Sequence, residues 1–176
     1  MKNLNVVLLE PEIAPIVGNI ARTCACTGAN LHLIEPLGFE INDKHLKRAG
    51  LDYWPYLGVK IYKNIEEFYE QTKGGHYFYF TTKAPKGYTD AEYPDDCYII
   101  FGKESAGIPE SILRYNLDKC VRIPMIPNLR SLNLSNSVAI AVYEVLRQHS
   151  FSMLEDKGKL FEEYIELSEK GILYRD

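Results

Sequence analysis

Short apolar runs of strand length recur along the chain at residues 6–9, 31–34, 59–62, 77–80, 98–101 and 121–123. Between them, apolar residues return at three- and four-residue spacing over 18–27, 43–49, 65–72, 109–115 and 135–148, which is the period of helices. Breakers and caps stand where such helices need them, with Gly28 after the first and Pro109 opening the fourth. Strands that are continuously apolar, rather than alternating, are buried on both faces. Separated by helices, they predict an α/β fold: a mostly parallel six-stranded sheet with helices on both faces.

The chain has 176 residues, of which 46% are hydrophobic, enough for one core and too few for two. Residues 1–150 read as a single domain and 151–176 as a charged amphipathic extension. In that extension Leu160, Phe161, Tyr164 and Ile165 fall at helical spacing, as in a helix that docks by one face. No apolar run reaches membrane-spanning length, and the opening MKNLNVVLLEPEIAP lacks the features of a signal peptide, so a cytoplasmic protein is expected, with no membrane partner. Cys24, Cys26, Cys97 and Cys120 match neither zinc-site spacing nor a disulfide framework and read as reduced, mostly buried thiols. The four histidines form no metal or catalytic spacing, and no metal is expected.

The net charge of −4 argues against non-specific coating of nucleic acid. Residues 151–176 hold seven acidic and four basic residues, so the body is close to neutral and has room for a local basic patch. One candidate is DKHLKRAGLDYW, where Lys44, Lys47 and Arg48 stand beside Tyr53 and Trp54. Bases interleaved with aromatics suit phosphate contact and base stacking, although a solvated helix face has the same pattern.

Ligands of open α/β sheets sit beyond the carboxyl ends of the strands, so the loops there are where chemistry is expected. The first, EPEIAPIVGNIARTCACTGA, has Gly18 and Asn19 opening a helix and Arg22 one turn in, a planar donor suited to a phosphate or hydroxyl oxygen. The second, CYIIFGKESAGIPESIL, offers Gly102 and Gly107 for close backbone approach and Glu104 near a helix start, where free amides hold carboxylates; helix capping alone would also explain Glu104. It has neither Walker spacing nor the dinucleotide-binding glycine fingerprint, which disfavours a nucleotide-dependent oxidoreductase. The third, IPMIPNLRSLNLSNSVAIAVYEV, carries more polar groups than capping requires. Asn133 and Ser135 suit a helix cap. Asn136 and Tyr143, seven apart, share one side of the helix, while Val138, Val142, Val145 and Leu146 form a separate apolar stripe.

Taken in order, EPEIAPIVGNIARTCACTGANLHLIEPLGF, DKHLKRAGLDYW, FGKESAGIP and VRIPMIPNLRSLNLSNSVAIAVYEVLRQ resemble the SPOUT methyltransferases over about residues 5–149, in particular the small members that methylate the ribose 2'-hydroxyl of the tRNA wobble nucleotide. The resemblance implies a C-terminal trefoil knot, which bottom-up topology rules would have argued against. It also implies S-adenosylmethionine bound in the knot loops, a homodimer completing the site, and tRNA as substrate, with the wobble cytidine or uridine of tRNA(Leu) as the methyl acceptor. Carried onto this chain, cofactor contacts fall at Phe80, Thr81, Gly102, Glu104, Gly107, Ile123, Ser131 and Asn133. Catalytic roles fall to Arg22, Ser135, Asn136 and Tyr143, and substrate contacts to Asn19, Lys47, Arg48, Trp54 and Arg130. One departure stands out: the family motif commonly has Asn where Ile16 stands here. A non-catalytic RNA-binding or assembly protein on the same scaffold is the competing reading.

Overall fold

The computed structural model describes residues 3–41, 57–155 and 157–158. The predicted helix over 43–49, the basic-aromatic segment and residues 159–176 of the amphipathic extension lie outside the described residues.

The architecture is the expected α/β layering, with every strand pairing parallel. The strands are β1 (Leu4–Leu9), β2 (Asn30–Ile34), β3 (Lys60–Tyr62), β4 (His76–Phe80), β5 (Lys86–Gly87), β6 (Cys97–Phe101) and β7 (Cys120–Arg122). Among the described residues they form one seven-stranded sheet in the order β3-β2-β1-β6-β4-β7-β5, so the expected six strands require correction to seven. The addition, β5, is two residues long and reads Lys-Gly, with no apolar signal. It is a strand only because Lys86 and Gly87 fall in register with Val121 and Arg122 of β7.

The helices are α1 (Ala14–Thr27), α2 (Ile65–Gln71), α3 (Glu110–Leu113) and α4 (Leu134–Gln148). α1 starts a turn earlier than predicted. Pro15 lies in its first turn, where a missing N–H costs nothing, so Gly18 sits inside the helix instead of opening it. Gly28 closes α1 in the left-handed conformation at φ 73°, as expected. α3 is shorter than the predicted 109–115.

Every residue of β1 is buried, and the alternation of its side chains divides the core in two. Leu4, Val6 and Leu8 pack with Val17, Ile20, Ala21 and Cys24 of α1 and with Val138, Ala141, Val142, Val145 and Leu146 of α4. Val7 and Leu9 point to the opposite face, with Phe68 of α2 and Leu113 of α3. The predicted apolar stripe of the last helix is thus its sheet-facing side. At about 1.5–3 kcal/mol per fully buried aliphatic side chain, that stripe is what fixes the rotation of α4 and turns Asn136 and Tyr143 outward.

Polar groups inside this core are paired. Asn5 donates through Nδ2 to the Cys97 carbonyl (3.2 Å), which leaves its Oδ1 to accept from Asn30 Nδ2 (3.0 Å) and from His32 Nε2 (3.1 Å). His32 therefore carries its proton on Nε2, and Nδ1 accepts from the Tyr62 hydroxyl at 2.8 Å. Burial, and secondarily the charge of Lys60, depress the His32 pKa to about 4. Below the ordinary histidine value near 6.5 the unfolded chain takes up a proton that the folded chain refuses. Stability contributed by neutral His32 is accordingly complete above about pH 6.5 and is lost as pH falls toward 4, by an amount on the order of 3 kcal/mol. Urea unfolding of wild type and His32→Gln between pH 7 and 4 should show the two stability curves converging as pH falls; parallel curves would refute the assignment.

Candidate active site

Three strands end side by side at one edge of the sheet. β6 runs into Gly102, β4 into Thr81, whose N–H donates to the Val121 carbonyl (2.9 Å), and β7 into Ile123. The loops beyond them enclose a cavity of about 680 Å3. All eight positions expected to contact a cofactor line it: Phe80, Thr81, Gly102, Glu104, Gly107, Ile123, Ser131 and Asn133. Phe80 stacks on Phe101 with centroids 4.9 Å apart, giving the floor a rigid aromatic base.

The shape of the wall depends on Gly102. A Cβ built there would lie 2.0 Å from the Gly107 carbonyl carbon and 2.2 Å from the Ile108 nitrogen, so only glycine allows the loop to close. Gly107, at φ 71°, completes the turn and donates its N–H to the Lys103 carbonyl at 2.8 Å.

Glu104 reaches the cavity edge, but its carboxylate is occupied. Oε2 accepts from the Glu12 N–H (2.9 Å) and Oε1 from the Ile13 N–H (3.2 Å), so it caps the start of α1 from 92 residues away along the chain. The next residue returns the contact: Ser105 donates its N–H (3.0 Å) and its hydroxyl (2.8 Å) to the Glu12 carboxylate. Lys103 pairs with Glu10 at 2.9 Å, and that hydrogen bond raises the lysine pKa above its ordinary value. Glu10, Glu12, Lys103 and Ser105 were not singled out from the sequence. The two acids before α1 were the only available signal, and their partners are remote in the chain.

On the opposite rim Asn133 is the N-cap of α4. Its Oδ1 accepts from the Ser135 N–H (2.9 Å) and hydroxyl (2.6 Å), while its carbonyl accepts from the Ser137 N–H. Capping thus accounts for Asn133 and Ser135 and leaves Arg130, Ser131 and Asn136 unexplained by local structure.

Residues 3–143 match the SpoU rRNA Methylase family. The chain belongs to that family. A Saccharophagus degradans relative named tRNA (cytidine(34)-2'-O)-methyltransferase is 47% identical over 149 residues, 84% of this chain and 97% of the relative. A Geobacillus stearothermophilus relative, provisionally given the same name, is 49% identical over 151 residues, 84% of this chain and 96% of its own. A solved structure described as giving insight into 2-OH methylation of C/U34 on tRNA matches with TM-score 0.80 at 40% identity, over 85% of this chain and 98% of that one. The Streptomyces viridochromogenes SpoU methyltransferase AviRb, in complex with AdoMet, shares the fold with TM-score 0.73 at 21% identity, over 85% of this chain and 58% of that one.

In this SpoU-family chain the positions expected to act in catalysis do not join the cavity wall. Arg22 and Asn19 are exposed on α1, Asn136 and Tyr143 on α4, and Arg130 on the loop between β7 and α4. Gly18 is buried while Arg22, one turn further along, is exposed; with α1 starting at Ala14, Arg22 stands in its third turn. Tyr143 is 49% exposed and its ring lies 6.4 Å from that of Phe151. Lys47, Arg48 and Trp54 lie outside the described residues. Two thiols that could compete as nucleophiles do not: burial pushes Cys24 and Cys97 each up to about 12.

Gly102→Ala should destabilise the fold by about 1–3 kcal/mol in urea unfolding, because its methyl meets backbone that cannot step aside. Gly107→Asn keeps the left-handed backbone and meets no neighbour within 4 Å, so its cost should be clearly smaller.

Proposed function

We propose that this chain is an S-adenosylmethionine-dependent methyltransferase acting on the ribose 2'-hydroxyl of nucleotide 34, a cytidine or uridine, in tRNA, with tRNA(Leu) the expected substrate. The observation that carries the reading is the convergence of all eight expected cofactor positions on one cavity at the carboxyl ends of β4, β6 and β7. Its support beyond the cavity is membership of the SpoU family and near full-length relatives named for this reaction.

The lining suits such a cofactor. Gly102 lets a ligand lie against bare backbone, Phe80 and Ile123 offer apolar surface, and Ser131 and Asn133 offer polar groups on the opposite rim. S-adenosylmethionine, when bound, supplies an activated methyl group on a sulfonium. The remaining work belongs to the chain: to hold the acceptor oxygen in line, to exclude water and to accept the proton released as the new O–C bond forms. Positioning of this kind is worth up to roughly 7–11 kcal/mol of a barrier, so a shaped pocket counts for more than a strong base. Arg22 offers a planar guanidinium that donates hydrogen bonds and has no acceptor, so its role is to hold the acceptor nucleotide's phosphate or to stabilise negative charge developing on the oxygen. Asn136 and Tyr143, about 10 Å apart along α4 by the helical rise, span a ribose and an adjoining group. Ser135 orients the Asn133 side chain through its hydroxyl.

The same reading assigns a homodimer, because Asn19, Arg22, Asn136 and Tyr143 face outward, away from their own cavity, and a second copy would bring such a surface to it. It assigns the chain to the cytoplasm. It also includes a trefoil knot, favoured by the place of β7 between β4 and β5 and by the wrapping of residues 123–134 around the cavity. Arg130, with Lys47, Arg48 and Trp54, would contact tRNA.

Calorimetry with S-adenosylmethionine should give saturable binding; none at millimolar cofactor would end the enzyme reading. Labelled-methyl transfer to bulk tRNA should fall by about 10²–10³ in Arg22→Ala, with cofactor affinity within about twofold of wild type. Mass spectrometry of tRNA from a deletion strain should find the missing methyl at nucleotide 34, and loss at any other nucleotide would redirect the substrate assignment.

A further inference from the structure

The geometry points to Glu12 as a positioning residue: with Glu104 and Ser105 it forms a reciprocal latch that holds the helix bearing Arg22 in register with the cofactor wall. This rests on the methyltransferase reading of the cavity and adds to it a residue which that reading does not require.

The start of α1 cannot hold itself. Its N-cap is Ile13, which has no side-chain acceptor, and its first turn contains no acidic residue. The acceptors come instead from Glu104, whose two oxygens take the Glu12 and Ile13 N–H groups. Glu12 sends its own carboxylate the other way, onto the Ser105 N–H and hydroxyl. Four hydrogen bonds therefore cross between two loops in both directions, so neither loop can slide along the other without breaking bonds to a charged group.

Two neighbours hold the latch in place. Gly38 donates to the Pro11 carbonyl (2.9 Å) and packs so closely that a Cβ there would stand 2.4 Å from the Glu12 carbonyl oxygen. Glu10 sits at φ 51°, an unfavourable value for a non-glycine residue, with its side chain tied to Lys103. Lys103, Glu104 and Ser105 are consecutive, and all three also line the cavity. One loop thus touches the cofactor space and grips α1 at the same time. Arg22 lies on the gripped helix, so a shift at the latch changes the distance between the cavity and Arg22.

The test compares wild type, Glu12→Ala and Glu12→Gln by amide hydrogen exchange with and without saturating S-adenosylmethionine, alongside calorimetry and steady-state methyl transfer to tRNA. In wild type the cofactor should slow exchange by about tenfold or more both at 102–108 and at 14–18. Glu12→Ala should keep the protection at 102–108, lose it at 14–18, hold cofactor affinity within about threefold and lower kcat by roughly tenfold. Glu12→Gln can still pair with Ser105 and should recover most of kcat and of the protection. Wild-type protection at 14–18 in Glu12→Ala, or a kcat within about twofold of wild type, would overturn the latch. So would cofactor protection in wild type confined to 102–108. A wild type that shows both protections but transfers no methyl to tRNA would overturn the methyltransferase reading and leave the latch standing; a wild type that binds no cofactor would overturn both.

Discussion

The closure of the turn at Gly102 is the constraint on which the rest of the site depends. The backbone of Gly107 and Ile108 passes so near Gly102 that no Cβ fits between them. That approach folds residues 102–107 into a compact turn with two usable sides, one facing the cavity and one facing the start of α1. A looser turn would separate the two sides by a side chain's width and break either the wall or the contacts to Glu12 and Ile13. The sheet supplies the anchor. β6 lies between β1 and β4, so the strand feeding this turn is hydrogen-bonded on both edges and buried on both faces.

From this anchor the same logic runs outward. β1 is the strand beside β6, and the loop leaving β1 is the one that Lys103, Glu104 and Ser105 grip. α1 and α4 then pack together over β1 through buried Val, Ile, Ala and Leu side chains, which fixes the outward direction of Arg22 and Tyr143. Positions far apart in the chain, such as 22, 104 and 143, are placed by one continuous set of contacts. A change in the loop after β6 therefore reaches the polar faces of both helices through packed backbone rather than through flexible side chains.

The legible part of this arrangement was the part with a period. The central strands announced themselves because a strand buried on both faces has to be continuously apolar, and α4 because its stripe recurs at helical spacing. β5 had no such signature: Lys86 and Gly87 acquire strand geometry from β7, a contact no local pattern contains. The early start of α1 was hidden for a similar reason, since Ile13 makes a poor cap and the real cap is Glu104. For the site, ordered motifs located the cavity-lining residues, while the acids and bases that join the loops were invisible because hydrogen bonds spanning 92 or 93 residues leave no spacing to read.

The charges around the cavity follow the same economy. Lys83, Lys103 and Arg122 all line it, and bare cations there would repel the cationic cofactor proposed above. Each lysine is paired with a carboxylate, Lys83 with Glu110 and Lys103 with Glu10, whereas Arg122 makes no ion pair among the described residues. Arg22 and Arg130 are exposed and lie outside the cavity lining. A chain of net charge −4 can thus carry paired lysines and Arg122 at a cavity and exposed arginines elsewhere, because local charge and net charge are separate quantities.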